Sequence, residues 1–154
     1  MSRVTQILTA ESPASEMKPR AHARAVPGKG LEGDRYFSGT GTFSPTNRAP
    51  DFEITFIEQE NIDDFARESG LPFTSRHARR NIVTEGVHLN ELVGREFHVG
   101  EVHIRGIRLC EPCTYLARSS FPEALTGLVH KGGLRAQVLS EGVIRVGDKI
   151  RVAE

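Results

Sequence analysis

Cysteine is scarce in this chain, and the two present, Cys110 and Cys113, are too few for the disulfide framework of a small secreted domain. The first ten residues, MSRVTQILTA, lack the run of about 7–15 apolar residues that a signal peptide needs. No segment approaches the roughly 18 apolar residues of a membrane-spanning helix. These absences predict a protein of the reducing cytoplasm.

An excess of charge of one sign is also lacking. The 20 Lys and Arg residues balance 20 Asp and Glu residues, so the formal net charge is 0. A neutral chain has no overall field that attracts nucleic acid or an anionic membrane, and any preference for anions must come from local clusters. The 154 residues are enough for one domain to bury a core without cross-links. We therefore expect a single domain over residues 1–154 and no nucleic-acid or membrane partner.

Short segments of β-favouring residues recur along the chain. Residues 4–9 alternate in polarity and predict a strand, and residues 52–57 predict a buried strand. A short element is expected at residues 25–26, whereas Gly, Ser, Thr and Pro in residues 38–50 predict a mobile surface loop. Further strands, separated by Gly-containing turns, are predicted at residues 81–84, 95–99, 101–107, 134–140, 143–146 and 149–152.

Helical patterns are few. Residues 58–69 place Ile62, Phe65 and Ala66 on one face, with Gly70 as the C-terminal stop, and residues 121–130 predict a second, short helix. A doubly wound α/β sheet needs helices regularly between its strands, and this pattern lacks them. The sequence therefore predicts a mainly β fold: a closed or partly closed β-barrel with one or two short helices.

Both cysteines lie in the segment RLCEPC, residues 108–113. A thiolate is a nucleophile and a soft metal ligand, and nearby cations such as Arg105 and Arg108 favour its ionised form. Three other interpretations compete: cysteines buried as small apolar residues, half of a zinc site, and a thioredoxin-like redox pair. The motif by itself does not decide between them.

Three further segments carry glycine or clustered cations: residues 30–35 (GLEGDR), 76–81 (RHARRN) and 130–135 (HKGGLR). Glycine lets a ligand approach the backbone, and arginine suits bidentate capture of phosphate. A β-turn, a solvated basic loop and a helix stop, respectively, are the simpler interpretations. Because the chain is neutral overall, we predict that the three segments converge around one pocket that accepts an anionic ligand.

Taken in order, these segments resemble the MOSC domain, named after the C-terminal domain of molybdenum-cofactor sulfurases. The matching motifs are GLEGD, RRNIVTEG, VGEV, RLCEPC, HKGGLRA and GVIRVGD, from about Gly30 to the C-terminus. The resemblance is closest to the small stand-alone bacterial MOSC proteins. It implies one MOSC domain with a barrel like that of pyruvate kinase, and a bound molybdenum cofactor (molybdopterin).

The resemblance also implies roles for single residues. The hallmark cysteine of the family stands in a Pro-Cys context followed by a leucine, which maps onto Cys113 and Leu116. In relatives it ligates molybdenum or carries a persulfide, and some relatives reduce N-hydroxylated substrates. We therefore expect Cys113 to be both the catalytic residue and the metal ligand.

Cofactor contacts are expected from six further residues: Gly33, Asp34, Arg80, Asn81, Lys131 and Arg135. The family's usual Gly-Glu-Asn is Arg79-Arg80-Asn81 here, so only Asn81 carries over from the resemblance. Arg80, Arg135 and Lys131 are chosen on electrostatic grounds, as cations for the pterin phosphate.

The two cysteines are expected to differ. Alternation from Ile104 places Cys110 on the same side as Ile104, packed or peripheral, whereas Pro112 breaks the strand and turns Cys113 outward. A bulge at Gly106 would reverse these faces.

The larger relatives carry a pyridoxal-phosphate desulfurase or a ferredoxin-like cysteine set, and this chain has neither. We therefore expect an electron-donor protein or a cysteine desulfurase as a partner, with pyridoxal phosphate only on that desulfurase. The leading expectation is a small molybdenum-dependent oxidoreductase. A sulfur carrier with a persulfide on Cys113 and a non-catalytic cofactor carrier are the alternatives.

Overall fold

A computed structural model describes residues 2–12, 15–38, 53–111, 121, 123 and 127–152. Residues 39–50 of the predicted loop lie outside the described residues, as do residues 122 and 124–126 of the predicted helix at 121–130, and Cys113.

Strands make up most of the regular structure. The strands are β1 (Arg3–Thr9), β2 (Lys18–Arg20), β3 (His22–Val26), β4 (Gly30–Leu31), β5 (Ile54–Glu58), β6 (Ile82–Glu85), β7 (Glu96–Val99), β8 (Val102–Leu109), β9 (Leu134–Val138), β10 (Gly142–Arg145) and β11 (Ile150–Val152). The helices are α1 (Arg35–Ser38), α2 (Gln59–Ser69) and α3 (Ser75–Ala78), with a 3-10 helix at Leu89–Leu92.

Eight of these strands form one curled sheet in the order β11-β7-β8-β9-β5-β6-β1-β2, in which only β5 and β6 run parallel. The sheet curls until β1 meets the chain around β11. There the N–H of Val4 donates to the carbonyl of Asp148 (2.9 Å), and that of Ile150 to Ser2 (3.1 Å). A second sheet, β10-β3-β4, packs beside it. The predicted mainly β, partly closed barrel is confirmed.

The barrel interior holds the main core. Ile54 and Phe56 of β5 and Ile82 of β6 point inward and are fully buried. Phe56 meets Phe97 of β7 edge to face, with 5.6 Å between ring centroids. Alternation along a strand therefore directs the intervening residues, such as Thr55, to the outer face of the sheet.

Helix α2 covers that outer face. Ile62 and Phe65 pack against Ile57 and Val83, and Ala66 is partly buried beside them, as the sequence pattern predicts. Gly70 ends the helix in the left-handed conformation, φ 73°. This second core fixes the positions of α2 and α3 on the outer side of β5 and β6.

The register of β8 shifts between Gly106 and Arg108, as expected of the bulge at Gly106 that was the alternative to regular alternation. A side chain at Gly106 would collide with the carbonyl of Leu92, so only glycine allows this close approach. Alternation from Ile104 therefore does not extend to Cys110, and that reason for its placement was wrong. Cys110 is nevertheless packed, with 1% of its surface exposed.

Candidate functional site

Hydrogen bonds fix the two residues that follow β8 and precede Pro112 and Cys113. The N–H of Cys110 donates to the carbonyl of Gly133 (2.7 Å). Both carboxylate oxygens of Glu111 contact His130, one accepting from the backbone N–H (2.7 Å) and the other lying 2.9 Å from Nδ1. His130 has a positive φ of 61°, a strained conformation for a residue other than glycine. The last described residues before Cys113 are thus bound to the turn that precedes β9.

Arg80 adds three hydrogen bonds to the junction between the end of β8 (Cys110 and Glu111) and the turn before β9 (residues 130–133). Its Nε donates to the carbonyl of Gly132 (2.8 Å), Nη1 to Ala78 (3.2 Å) and Nη2 to Cys110 (3.1 Å). Only 8% of the residue is exposed. One guanidinium therefore joins three segments: the end of α3, the exit of β8 and the turn before β9.

Asn81 plays a similar part deeper in the sheet, where it is fully buried. Its Oδ1 accepts hydrogen bonds from the backbone N–H and the hydroxyl of Thr55, both at 3.1 Å. Its Nδ2 donates to the carbonyl of Leu8 (3.2 Å). The amide thereby joins β1, β5 and β6.

Asp34 is engaged with the protein as well. Its buried carboxylate accepts from the N–H of Ala10 (3.0 Å) and from Nη1 of Arg35 (3.1 Å). The same guanidinium donates through Nη2 to the carbonyl of Arg79 (3.3 Å). Gly33, next to Asp34, has a φ of 86°, which explains the glycine at this turn.

Hydrogen bonds join the three segments to one another, but neither of the two cavities described below is lined by all three, so their convergence around one pocket stays a prediction. Residues 30–35 reach residues 76–81 through the bond from Arg35 to Arg79, and residues 76–81 reach residues 130–135 through the bond from Arg80 to Gly132. Arg135 of β9 is paired with Thr55 of β5, and Thr55 is hydrogen-bonded to Asn81. Only 8% of the surface of Arg135 is exposed.

A cavity of about 490 Å³ lies beside the turn before β9, and we call it the Lys131 cavity. It is lined by residues with polar side chains: Glu58, Asn61, His88, Asn90, Glu91, His130 and Lys131. The N–H of Leu89 lies 3.4 Å from Oε2 of Glu58, and Nδ2 of Asn90 donates to the carbonyl of His130 (2.8 Å). These bonds hold the walls together, and Lys131 is exposed at the cavity.

Glu58 is a titratable group of the Lys131 cavity whose pKa departs from its ordinary value. Burial raises the pKa of its carboxyl above the ordinary value, and the nearby Glu60 carboxylate adds to this. The N–H of Leu89 and the imidazole of His88 act in the opposite direction but are outweighed.

The substitution Glu58→Gln is expected to change how stability depends on pH. The pKa of Glu58 is higher in the folded protein than in the unfolded chain, so ionisation of this carboxyl lowers the stability of the fold. The loss is absent at a pH below the pKa of the unfolded chain. It grows as the pH rises through the pKa of the folded protein. The melting temperature of the wild type relative to Glu58→Gln should therefore fall as the pH is raised. Thermal unfolding followed by circular dichroism at several pH values measures the difference. Glu68→Gln, exposed on α2, is the control, and a difference that rises with pH would contradict the expectation.

A second cavity, which we call the Arg79 cleft, lies between the chain before β2 and α3. It measures about 260 Å³ and is lined by Glu16, Met17, Thr74, Arg76, His77 and Arg79. Arg80 is the expected cofactor contact of this basic run, whereas Arg76 and Arg79 line the cleft. Arg79 has a left-handed backbone (φ 57°), a feature that the sequence does not indicate.

Among the described residues, no cluster of three or more His, Cys, Asp or Glu residues is suited to a metal ion. Cys113 is not one of the described residues. Within the described part of the chain, no helix is long and apolar enough to cross a membrane.

Comparison with known proteins identifies the family. The chain is similar in structure to the YuaD protein from Bacillus subtilis (17% identity, TM-score 0.77, covering 99% of this chain and 96% of that one). It is also similar to YiiM from Geobacillus stearothermophilus (18% identity, TM-score 0.76, covering 100% of this chain and 76% of that one). A third similar structure is YiiM from Escherichia coli (18% identity, TM-score 0.70, covering 99% of this chain and 70% of that one). No curated protein matches by sequence. The family model described as "MOSC domain" matches residues 32–151. The chain therefore belongs to the MOSC domain family, which is associated with the molybdenum cofactor.

Proposed function

We propose that this protein binds the molybdenum cofactor, with Cys113 as the thiolate ligand of molybdenum, and reduces N-hydroxylated compounds with electrons from a separate donor protein. The observation that carries the proposal is the junction before Cys113, where Cys110 and Glu111 are bound to residues 130–133. Cys113 follows Glu111 by two residues, a reach of at most about 7 Å of extended chain. The proposal therefore takes the thiol to act beside this basic turn.

The residues around this junction suit an anionic cofactor. Lys131 is exposed beside the junction, and Arg135 and Arg108 are register partners on the neighbouring strands β9 and β8. As register partners, Arg108 and Arg135 lie on the same face of two neighbouring strands, in a chain whose formal net charge is 0. Guanidinium and ammonium groups pair with phosphate, and a thiolate is the soft ligand that a transition metal accepts.

The proposed roles divide the six expected contacts into two groups. Lys131 and Arg135 neutralise the charge of the cofactor, and the backbone at Gly33 lies against it. Asp34, Arg80 and Asn81 position the surrounding segments, since their polar atoms bind other parts of the protein. The cofactor supplies the redox chemistry when bound, and the protein supplies its position and electrostatic surroundings.

The test is metal and pterin analysis of protein produced in a host that makes the cofactor. We expect molybdenum and pterin to copurify with the chain, and a viologen-reduced sample to convert a model N-hydroxylated amidine into the amidine. Protein that lacks molybdenum but accepts labelled sulfur from a cysteine desulfurase would be a sulfur carrier instead. Protein that holds the cofactor but reduces none of a panel of N-hydroxylated compounds would be a cofactor carrier.

A further inference from the structure

The outer face of β7, β8 and β11 carries cationic side chains and is open to solvent. Hydrophobic residues of these strands point into the barrel core, so alternation turns the residues between them outward. Five of the outward residues, which we call the basic face, are Glu96, His98, His103, Arg105 and Arg151. Glu96 and the two arginines are exposed, and the two histidines are half-buried. The face is therefore accessible to a partner.

Strand pairing brings the residues of the basic face side by side. His98 of β7 is paired with Arg151 of β11 on one side and with His103 of β8 on the other. The two imidazole rings are stacked nearly parallel, with 4.5 Å between their centroids. Glu96 and Arg105 are paired in the next outward row. The face thus consists of two short rows, with one arginine at each of two diagonal corners.

The charge of the basic face differs from that of the whole chain. The chain has a formal net charge of 0, but Glu96 is the one acidic residue in β7, β8 and β11. Its Oε1 lies 2.7 Å from Nε2 of His103, so this carboxylate is already engaged on the face. Arg105 and Arg151 therefore give the face a positive character that attracts acidic molecules at short range.

The proposed reaction favours a protein as the acidic partner. Reduction of an N-hydroxylated compound breaks the N–O bond, takes up two electrons and two protons, and releases water. A one-electron donor must therefore dock and leave twice in each turnover. Complexes of this kind are weak and bury less than about 1,200 Å², which suits a face whose three strands span only about 10 Å. A nucleic acid would need more phosphate contacts than two arginines supply.

Strand β8 connects the basic face to the candidate site. From Arg105 the strand runs to Leu109, and the chain continues through Cys110 and Glu111 towards Cys113. Arg105 and Cys110 are five residues apart, which corresponds to at most about 17 Å of extended chain. A protein docked on the basic face therefore lies beside the strand that leads to the proposed molybdenum ligand.

We propose that the basic face is the docking surface for an acidic electron-donor protein, whose carboxylates pair with Arg105 and Arg151. The electron-transfer role of this partner rests on the proposed function. The binding of an acidic protein by the basic face does not.

The first experiment titrates the full chain, purified without cofactor, with an oxidised plant-type [2Fe–2S] ferredoxin, a small acidic electron carrier. Backbone amide NMR signals of residues 96–105 and 150–152 should shift or broaden. Arg105→Gln and Arg151→Gln should each weaken binding about three-fold, the effect of losing one exposed ion pair. The double variant should weaken it about ten-fold, and added salt should weaken the wild-type complex. Arg67→Gln removes the same charge from an exposed site on α2 and is the matched control.

Two results of this titration overturn the docking surface. One is failure of ferredoxin to affect the signals of β7, β8 and β11, and the other is equal weakening by Arg67→Gln and the double variant. A short single-stranded DNA that binds the same strands more tightly than ferredoxin overturns the choice of a protein partner.

The second experiment compares two electron sources for reduction of a model N-hydroxylated amidine by protein from a cofactor-producing host. Reduced viologen is a small dication that does not need the basic face, whereas reduced ferredoxin must dock. Arg151→Gln should keep the viologen-driven rate and raise the KM for ferredoxin about three-fold, and Arg67→Gln should change neither. An unchanged KM for ferredoxin, or equal loss with both electron sources, overturns the electron-transfer role. If the wild type reduces nothing with viologen but the first experiment succeeds, the proposed function fails and the docking surface stands.

Discussion

Replacement of Cys113 by serine is expected to reduce molybdenum in the purified protein to background and to abolish reduction of N-hydroxylated compounds. A serine hydroxyl is a harder ligand than a thiolate and stays protonated at neutral pH, so it cannot replace sulfur on the metal. Metal analysis and a reductase assay on protein from a cofactor-producing host measure both effects.

The matched control is Cys110, three residues earlier. Because Cys110 is 1% exposed, a serine there would bury a hydroxyl at a cost of about 1–3 kcal/mol if it found no partner. Cys110→Ala avoids that cost and should keep most of the molybdenum and activity. If Cys110→Ala lost the metal and Cys113→Ser kept it, the assignment would be reversed. If both variants kept metal and activity, Cys113 would not be the ligand.

The fold was predictable where the sequence pattern is local. The amphipathic run over residues 58–69, followed by Gly70, predicts α2 almost to the residue. Alternating segments predict most strands of the large sheet, with first and last residues that differ from the structure by at most two positions. These patterns depend on burial of one face and on turn residues, both of which a single segment displays.

Other features depend on contacts between distant segments and could not be predicted. Strands β2 and β4 are only three and two residues long and carry no periodic pattern of their own. The sequence offers a bulge at Gly106 as an alternative but does not show that β8 adopts it; the register shift lies between Gly106 and Arg108, where Gly106 is close to the carbonyl of Leu92. Both depend on tertiary packing rather than on local sequence.

The expected site residues show the same division. The three Gly- or Arg-containing segments contact one another, although neither cavity is lined by all three. The partner of each side chain was not predictable, however, since a sequence does not reveal whether an arginine faces a ligand or the carbonyls of its own protein. Arg80 binds three carbonyls, and Arg76, four residues earlier, lines an open cleft.

Replacement of Arg80 by methionine is expected to lower the free energy of unfolding by about 3 kcal/mol, a large part of the stability of an ordinary domain. Methionine fills similar space but leaves the carbonyls of Ala78, Cys110 and Gly132 without their donor. Arg80→Lys should recover little, because one ammonium group cannot reach three carbonyls that a planar guanidinium spans. Urea unfolding followed by circular dichroism measures the change, with Arg76→Met, exposed on α3, as the control that should stay near the wild type.

A second measurement separates this positioning role from direct contact with the cofactor. In a Cys113→Ser background, Cys110 is the sole thiol, and its burial should protect it from a thiol reagent such as Ellman's reagent. Arg80→Met removes the bond to the Cys110 carbonyl, so the reaction should become markedly faster in the folded protein, whereas Arg76→Met should leave it slow. Unchanged stability and unchanged thiol protection, together with loss of pterin, would instead make Arg80 a direct phosphate contact. A less stable protein with an exposed Cys110 would establish that Arg80 acts through the junction that leads to Cys113.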